Sequence, residues 1–304
     1  MDLRQLEYLV AVVDDGGFTR AAERLHVAQP GVSAALRRLE AELGEQLLDR
    51  GARAVTPTAA GAALLPHARA ALAAVAAGRD AVDELRGLVR GRVKIGVVTA
   101  CPAIELAAPL AAFHAAHPGV EVSLEEDGSD RLVAGLRDGR LDLAVIGAHG
   151  PPLAGLDTLT LVDEPLVAVV APEDPLAGRG RGGARRGGGA GRVVALTALR
   201  DRPLVMLPRG TGVRAAFEAG CAQAGFEPHV AFEASSPALV ASLARRGLGA
   251  AIVARSMAAL DPELAVVELT RPALRSRLEL AWRADGPSSP AARALTADLC
   301  AALT

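Results

Sequence analysis

FTRAAERLHVAQPGVSAALRRLEAE, Phe18 to Glu42, reads as two short helices joined by a tight turn. The first runs from about Phe18 to Leu25, and its small pair Ala21-Ala22 lets another helix approach closely. His26-Val27-Ala28 makes the turn. Pro30 falls in the first turn of the second helix, where its missing N–H would have had no intrahelical partner. Val32, Leu36, Leu39 and Leu43 repeat at helical spacing and predict a buried stripe, while Gln29, Ser33 and Arg37 fall on the opposite face. A helix packed by its stripe on two others, with short polar side chains near its N-terminus, suits the major groove of DNA. Gln29 and Ser33 are the base-edge candidates, and Thr19, Arg20, Arg37 and Arg38 are placed for phosphate, with Pro30 in the same first turn.

Working outward, residues 47–55, LLDRGARAV, have a glycine turn flanked by Arg50 and Arg53, as a small wing beside a duplex would. From Thr58 to about Leu88 the chain is Ala-rich, with Leu64, Leu65, Leu72, Val75, Val82 and Leu85 punctuated by charges. This predicts one long helix, capped by Thr58, with Pro66 inside it. An amphipathic helix of about 30 residues must bury its stripe somewhere, which implies at least a homodimer through it.

Beyond Gly91 strand and helix patterns alternate. Val93 to Val98, a helix over Pro102 to Ala116, Val120 to Leu124, a helix over Ser129 to Gly139, and Leu141 to Ile146 predict a parallel sheet covered by helices. The alternation recurs with Leu166 to Val170, Leu204 to Leu207, Val230 to Glu233 and Ala250 to Ala254, and with helices near 212–225 and 236–247, so two α/β lobes of similar size are expected. Residues 178–192, GRGRGGARRGGGAGR, predict a surface loop. The G-x-G-x-x-G spacing inside them follows from glycine content, since no strand feeds directly into it.

Composition removes the simplest argument for nucleic-acid binding: net charge is −2, and residues 1–60 hold seven Arg against nine acids. Local geometry has to carry that reading. Cys101, Cys221 and Cys300 are odd in number and far apart, unlike a disulfide or zinc framework, which fits a reducing cytoplasm. The N-terminus lacks an export-signal pattern and no charge-free run reaches spanning length, so a cytoplasmic protein is expected. His114 and His117 read as surface histidines rather than metal ligands. With no G-x-S-x-G elbow, P-loop or nucleophile beside a base, neither an enzyme nor a cofactor is expected. The α/β portion alone would also fit a solute-binding protein, or a metabolic enzyme with a helical extension.

The chain resembles the LysR-type transcriptional regulators through Phe18-Thr19-Arg20-Ala21-Ala22, Leu25, Gln29-Pro30, Val32-Ser33, Leu39-Glu40, Leu43-Gly44, Leu47, Arg50 and Thr56-Ala60-Gly61. Gly128 to Ile146, Asp174-Pro175-Leu176-Ala177 and Leu239 to Ile252 extend the likeness into the α/β region. The resemblance implies an N-terminal all-α winged helix-turn-helix (1–58), a linker and dimerisation helix (59–90), and a two-lobed α/β sensor like periplasmic binding proteins (91–304). Lobe 1 would span about 91–162 and 267–304, and lobe 2 about 163–266. It further implies operator DNA and a small-molecule effector as partners, and a tetramer. Ala34, Ala35 and Leu48 depart from the family pattern.

In such sensors ligands lie at strand C-termini, where helix N-termini present free N–H groups. The effector candidates are therefore Thr99, Ala100 and Cys101 after the first strand, Gly128 and Ser129 after the second, and Ala148 after the third. From the second lobe come Met206, Pro208 and Thr211. Hydroxyls at Thr99 and Ser129 suit a small carboxylate, or they cap helices. Cys101 is a pocket-lining residue or a thiol sensor.

Overall fold

The computed structural model describes residues 1–49, 51, 55–84, 89–99, 104–178, 192–259 and 261–303. Helix α1 (Leu3–Asp14) opens on a capping box, in which Asp2 Oδ1 accepts the Gln5 N–H at 2.8 Å and Gln5 Oε1 accepts the Asp2 N–H at 2.9 Å. Helices α2 (Phe18–Arg24) and α3 (Gln29–Leu43) follow, with Pro30 in the first turn of α3. Val32, Leu36 and Leu39 are buried against Leu9, Val12, Ala21 and Ala22. Leu43, expected to extend that stripe, is instead 42% exposed: it lies in the last turn, where Gly44 at φ 72° ends the helix.

Strands β1 (Leu48–Asp49) and β2 (Thr56–Pro57) pair antiparallel as the base of a wing. Its arginines Arg50 and Arg53 lie outside the described residues. Helix α4 (Ala59–Glu84) then leaves the head, with Pro66 inside it; the expected stretch 85–88 also lies outside the described residues. Thr58 caps α4 and ties it to the wing, since its Oγ accepts the Gly61 N–H at 3.1 Å and its O–H donates to the Gln46 carbonyl at 2.6 Å. Gly61 is required by proximity: a Cβ there would sit 2.0 Å from the Leu47 carbonyl oxygen. By length and hydropathy, Ala59–Arg79 is a stretch that could cross a membrane. At its middle, however, Arg69 is 8% exposed and ion-paired with Asp14 of α1, so this helix is fastened to the head.

The α/β region is built on two lobes that share one strand. Strands β3 (Gly91–Val98), β4 (Val120–Asp127) and β5 (Leu143–Ala148) are parallel, connected through α5 (Ala107–Ala116) and α6 (Ser129–Arg137). The helix predicted from Pro102 is shorter than expected, for 104–106 are not helical and 100–103 lie outside the described residues. The 15-residue β6 (Leu156–Val170) then crosses to the second lobe. That lobe adds β7 (Arg192–Ala195), β8 (Leu204–Met206), α7 (Gly212–Gln223), β9 (Val230–Glu233), α8 (Pro237–Arg245), β10 (Ala250–Ala254), the short α9 (Arg255–Ala258) and β11 (Ala265–Thr270). Strand β12 (Arg275–Arg283) returns to the first lobe, and α10 (Pro290–Leu303) packs there beside α5.

The order is β4-β3-β5-β12-β6 in lobe 1 and β9-β8-β10-β6-β11-β7 in lobe 2. The strands of the βαβαβ pattern pair in parallel as expected, and β6 and β12 add antiparallel pairs, so the sheets are mixed. The shared strand β6 and its neighbour β12 run antiparallel to each other, and each is antiparallel to its other neighbours. The return to lobe 1 falls between β11 and β12, a few residues past the expected 267, because β11 pairs with the lobe 2 half of β6. Each lobe has its own core: Val93, Ile95, Phe113, Leu143, Val145 and Leu295 in the first, and Leu166, Val205, Phe217, Val240 and Ile252 in the second. Complete burial of a side chain of this kind contributes about 1.5–3 kcal/mol. The strand ends that form the inter-lobe cleft are thus held from both sides by packed cores.

Candidate functional site

Two surfaces carry the sequence-predicted residues. On the head, Thr19 and Arg20 begin α2, Gln29 and Pro30 begin α3, and Arg37 and Arg38 lie further along it; all six are exposed, and Ser33 is half-buried. Arg37 Nε donates to the Ser33 carbonyl at 3.4 Å. Five of the nine acids of the head have partners within the head or α4. Asp2 caps α1, Asp14 pairs with Arg69, Asp15 with Arg24 at 2.8 Å, Glu42 with the N-terminal ammonium, and Glu40 accepts the Leu47 N–H at 3.1 Å. The first turns of α3, from Gln29 to Arg38, carry arginine and neutral polar groups and no acid, the local electrostatics that duplex DNA requires whatever the net charge.

Between the lobes lies a cleft of about 430 Å³, lined by Thr99, Asp127, Gly128, Asp130, Arg131, Pro208, Arg209, Gly210, Thr211 and Ser235. Of the effector candidates, Thr99, Gly128, Pro208 and Thr211 are brought together there. Ser129 is 6% exposed and its Oγ accepts the Gly147 N–H at 2.9 Å, so the hydroxyl serves lobe 1 internally. Thr211 caps α7, with Oγ accepting the Arg214 N–H at 3.4 Å and its O–H donating to the Pro208 carbonyl at 2.9 Å. Met206 is fully buried in the lobe 2 core and Ala148 is 8% exposed; neither lines the cleft, because both belong to strands rather than to the loops after them. Ala100 and Cys101 lie outside the described residues.

The charged lining was missed from sequence: Asp127, Asp130, Arg131 and Arg209, with Gly210 and Ser235. The first five lie within two residues of predicted positions, so taking whole loops rather than chosen side chains would have found them. Asp127 Oδ1 accepts the Gly128 N–H at 2.7 Å, and Oδ2 lies 3.5 Å from Arg131. Burial, reinforced by the nearby Glu218, pushes the Cys221 thiol up to about 12, and burial also raises that of Cys300. Among the described residues no group of His, Cys, Asp and Glu is arranged to hold a metal.

Comparison with known proteins matches both parts of the chain. Residues 3–62 match the bacterial regulatory helix-turn-helix protein, lysR family, and residues 86–302 match the LysR substrate binding domain. A "Probable hydrogen peroxide-inducible genes activator" of Mycobacterium avium is 32% identical over 282 residues, covering 91% of this chain and 86% of that relative. A full-length OxyR variant from Pseudomonas aeruginosa superposes with a TM-score of 0.72 at 24% identity, over 98% of this chain and 94% of that one, a likeness of fold. Full-length CbnR complexed with its target DNA has a TM-score of 0.59 at 26% identity, with complete coverage of both chains.

Proposed function

The chain belongs to the LysR family of bacterial transcriptional regulators, and from that premise we propose how its two surfaces divide the work. It is a DNA-binding regulator rather than an enzyme, and its C-terminal region is an effector-binding domain. In this reading α3 enters the major groove. Gln29 and Ser33 contact base edges, Thr19, Arg20, Arg37 and Arg38 hold the backbone, Arg50 and Arg53 contact the backbone or minor groove, and Pro30 lies against the DNA by van der Waals contact alone. The exposed polar face of α3, opposite the buried Val32, Leu36 and Leu39, supports this assignment.

The effector binds in the inter-lobe cleft, where Thr99, Gly128 and Thr211 meet at strand ends. That convergence in a cavity of about 430 Å³ is the observation that carries the reading. A small carboxylate is the effector class proposed on the Thr99 hydroxyl and the N-terminus of α6; Arg131 and Arg209 are already paired, with Asp127 and Glu218. The protein acts in the cytoplasm as a homodimer through α4, two dimers joining into a tetramer that spans neighbouring half-sites. Val75 and Val82, exposed on α4, support the pairing. Peroxide sensing, suggested by the name of the Mycobacterium avium relative, finds no support at Cys221 or Cys300, because a thiolate must attack the peroxide and burial disfavours the thiolate at both; Cys101, the thiol-sensor candidate, lies outside the described residues.

A thermal-unfolding screen of small carboxylic acids against the full chain tests the cleft. A ligand at a hundredfold excess over its Kd adds about 2.7 kcal/mol of stability. The shift is expected to shrink in Thr99→Val. An acid that stabilises the parent and Thr99→Val equally would place the site elsewhere.

A further inference from the structure

The lobes do not merely face each other across the cleft; at its floor they touch backbone to backbone. The Ser129 N–H of lobe 1 donates to the Gly210 carbonyl of lobe 2 at 2.8 Å. Ser129 is the first residue of α6, and a first-turn amide has no acceptor within its own helix, so this donor depends on a group from outside. Gly210 sits at φ 87°, a conformation only glycine adopts without strain, and it presents its carbonyl from the loop between β8 and α7.

The surrounding glycines allow the approach. A Cβ on Gly212 would lie 2.7 Å from the Gly147 carbonyl carbon, and one on Gly128 would lie 3.1 Å from the Gly210 oxygen. Glycine on both sides of one inter-lobe seam, meeting around one directed hydrogen bond, is an arrangement neither lobe needs for its own core.

We infer that the Gly210 carbonyl acts as an internal ligand that latches the two lobes together, and that an effector acts by replacing it at the Ser129 N–H. The second half rests on the cleft assignment above; the latch itself does not. A carboxylate oxygen is a stronger acceptor than a peptide carbonyl, so an anionic effector gains at that donor what the latch loses. Once displaced, Gly210 no longer ties lobe 2 to α6, and the lobes are free to change their angle.

Residue-resolved amide hydrogen exchange on the ligand-free full chain tests the latch. The Ser129 amide is expected to exchange at least about tenfold more slowly than that of Asp130, the next amide of the same helical turn. Equal rates would overturn the latch. A matched pair of variants isolates the N–H. Ser129→Ala and Ser129→Pro both lose the Oγ contact to Gly147, but only proline loses the donor. The site accepts proline locally, since it is the first helical position and Gly128 at φ −69°, ψ 151° already has the backbone that precedes proline.

Exchange across residues 206–213 is expected to accelerate several-fold in Ser129→Pro relative to Ser129→Ala, and equal exchange in the two would contradict the inference. DNA binding measured on the same samples separates the two readings. A chain that still binds its operator while the Ser129 amide exchanges freely keeps the regulator assignment and loses the latch.

Discussion

Gln29 stands exposed at the start of α3, where a side-chain amide can make paired hydrogen bonds to an adenine edge. Gln29→Ala is expected to cost roughly 1–3 kcal/mol on the preferred operator and little on random DNA, so selectivity falls. Arg38→Ala should instead weaken binding to all sequences alike and reduce the salt slope by about 1, as one phosphate contact does. Fluorescence anisotropy on matched specific and random duplexes at several salt concentrations distinguishes them. Unchanged selectivity in Gln29→Ala would remove this residue from the reading face.

Asp142 is a second single-residue test. Its carboxylate accepts the Lys94 N–H at 2.9 Å and the Ser288 hydroxyl at 3.2 Å, yet burial raises its pKa above the usual 3.8 against the pull of those bonds, Arg283 and Lys94. The folded chain therefore holds this proton more tightly than the unfolded one. Its contribution to stability is complete below about pH 3.8 and is lost as pH rises through the higher folded value. Asp142→Asn should flatten that decline in urea titrations across the acidic range, and an unchanged pH profile would show that the group does not matter.

At the scale of elements, the junction of wing and linker helix depends on Gly61, whose hydrogen points at the Leu47 carbonyl. Gly61→Ala forces backbone movement and is expected to destabilise the head by about 1–3 kcal/mol, seen as a lower Tm without new exposure in the sensor lobes. An unaltered Tm would mean that α4 shifts freely beneath the wing. Most helices before Ala250 and the buried strands were legible because their patterns are strong: Leu204–Met206 and Ala250–Ala254 fall where the apolar runs place them, whereas α10 was not read from sequence. The first half of β6 and all of β12 were not legible. Residues 156–164, LDTLTLVDE, and Arg275–Arg283 mix charge with apolar residues, because these strands are only partly covered. Nor could local pattern show that Met206 would be spent on the core, or that charge would gather at the cleft, since both follow from how the lobes face each other.

Across the whole molecule, a single chain leaves much of α4 uncovered: 17% of its most apolar window is buried, and Val75 and Val82 are exposed. In the proposed dimer a second copy supplies the partner surface for this helix. Val75→Glu is expected to shift the population toward monomer in sedimentation velocity and to weaken operator binding, because two heads joined by α4 bind far better than one. Retention of the parent oligomer would move the interface off this helix.

The central claim, that the head reads DNA sequence, is tested most directly by selecting the full-length chain against a library of random duplexes at moderate salt with competitor DNA. The account predicts enrichment of an inverted repeat whose half-sites lose their preference in Gln29→Ala. Recovery of sequences without a common motif, at an affinity equal to that for random DNA, would contradict it.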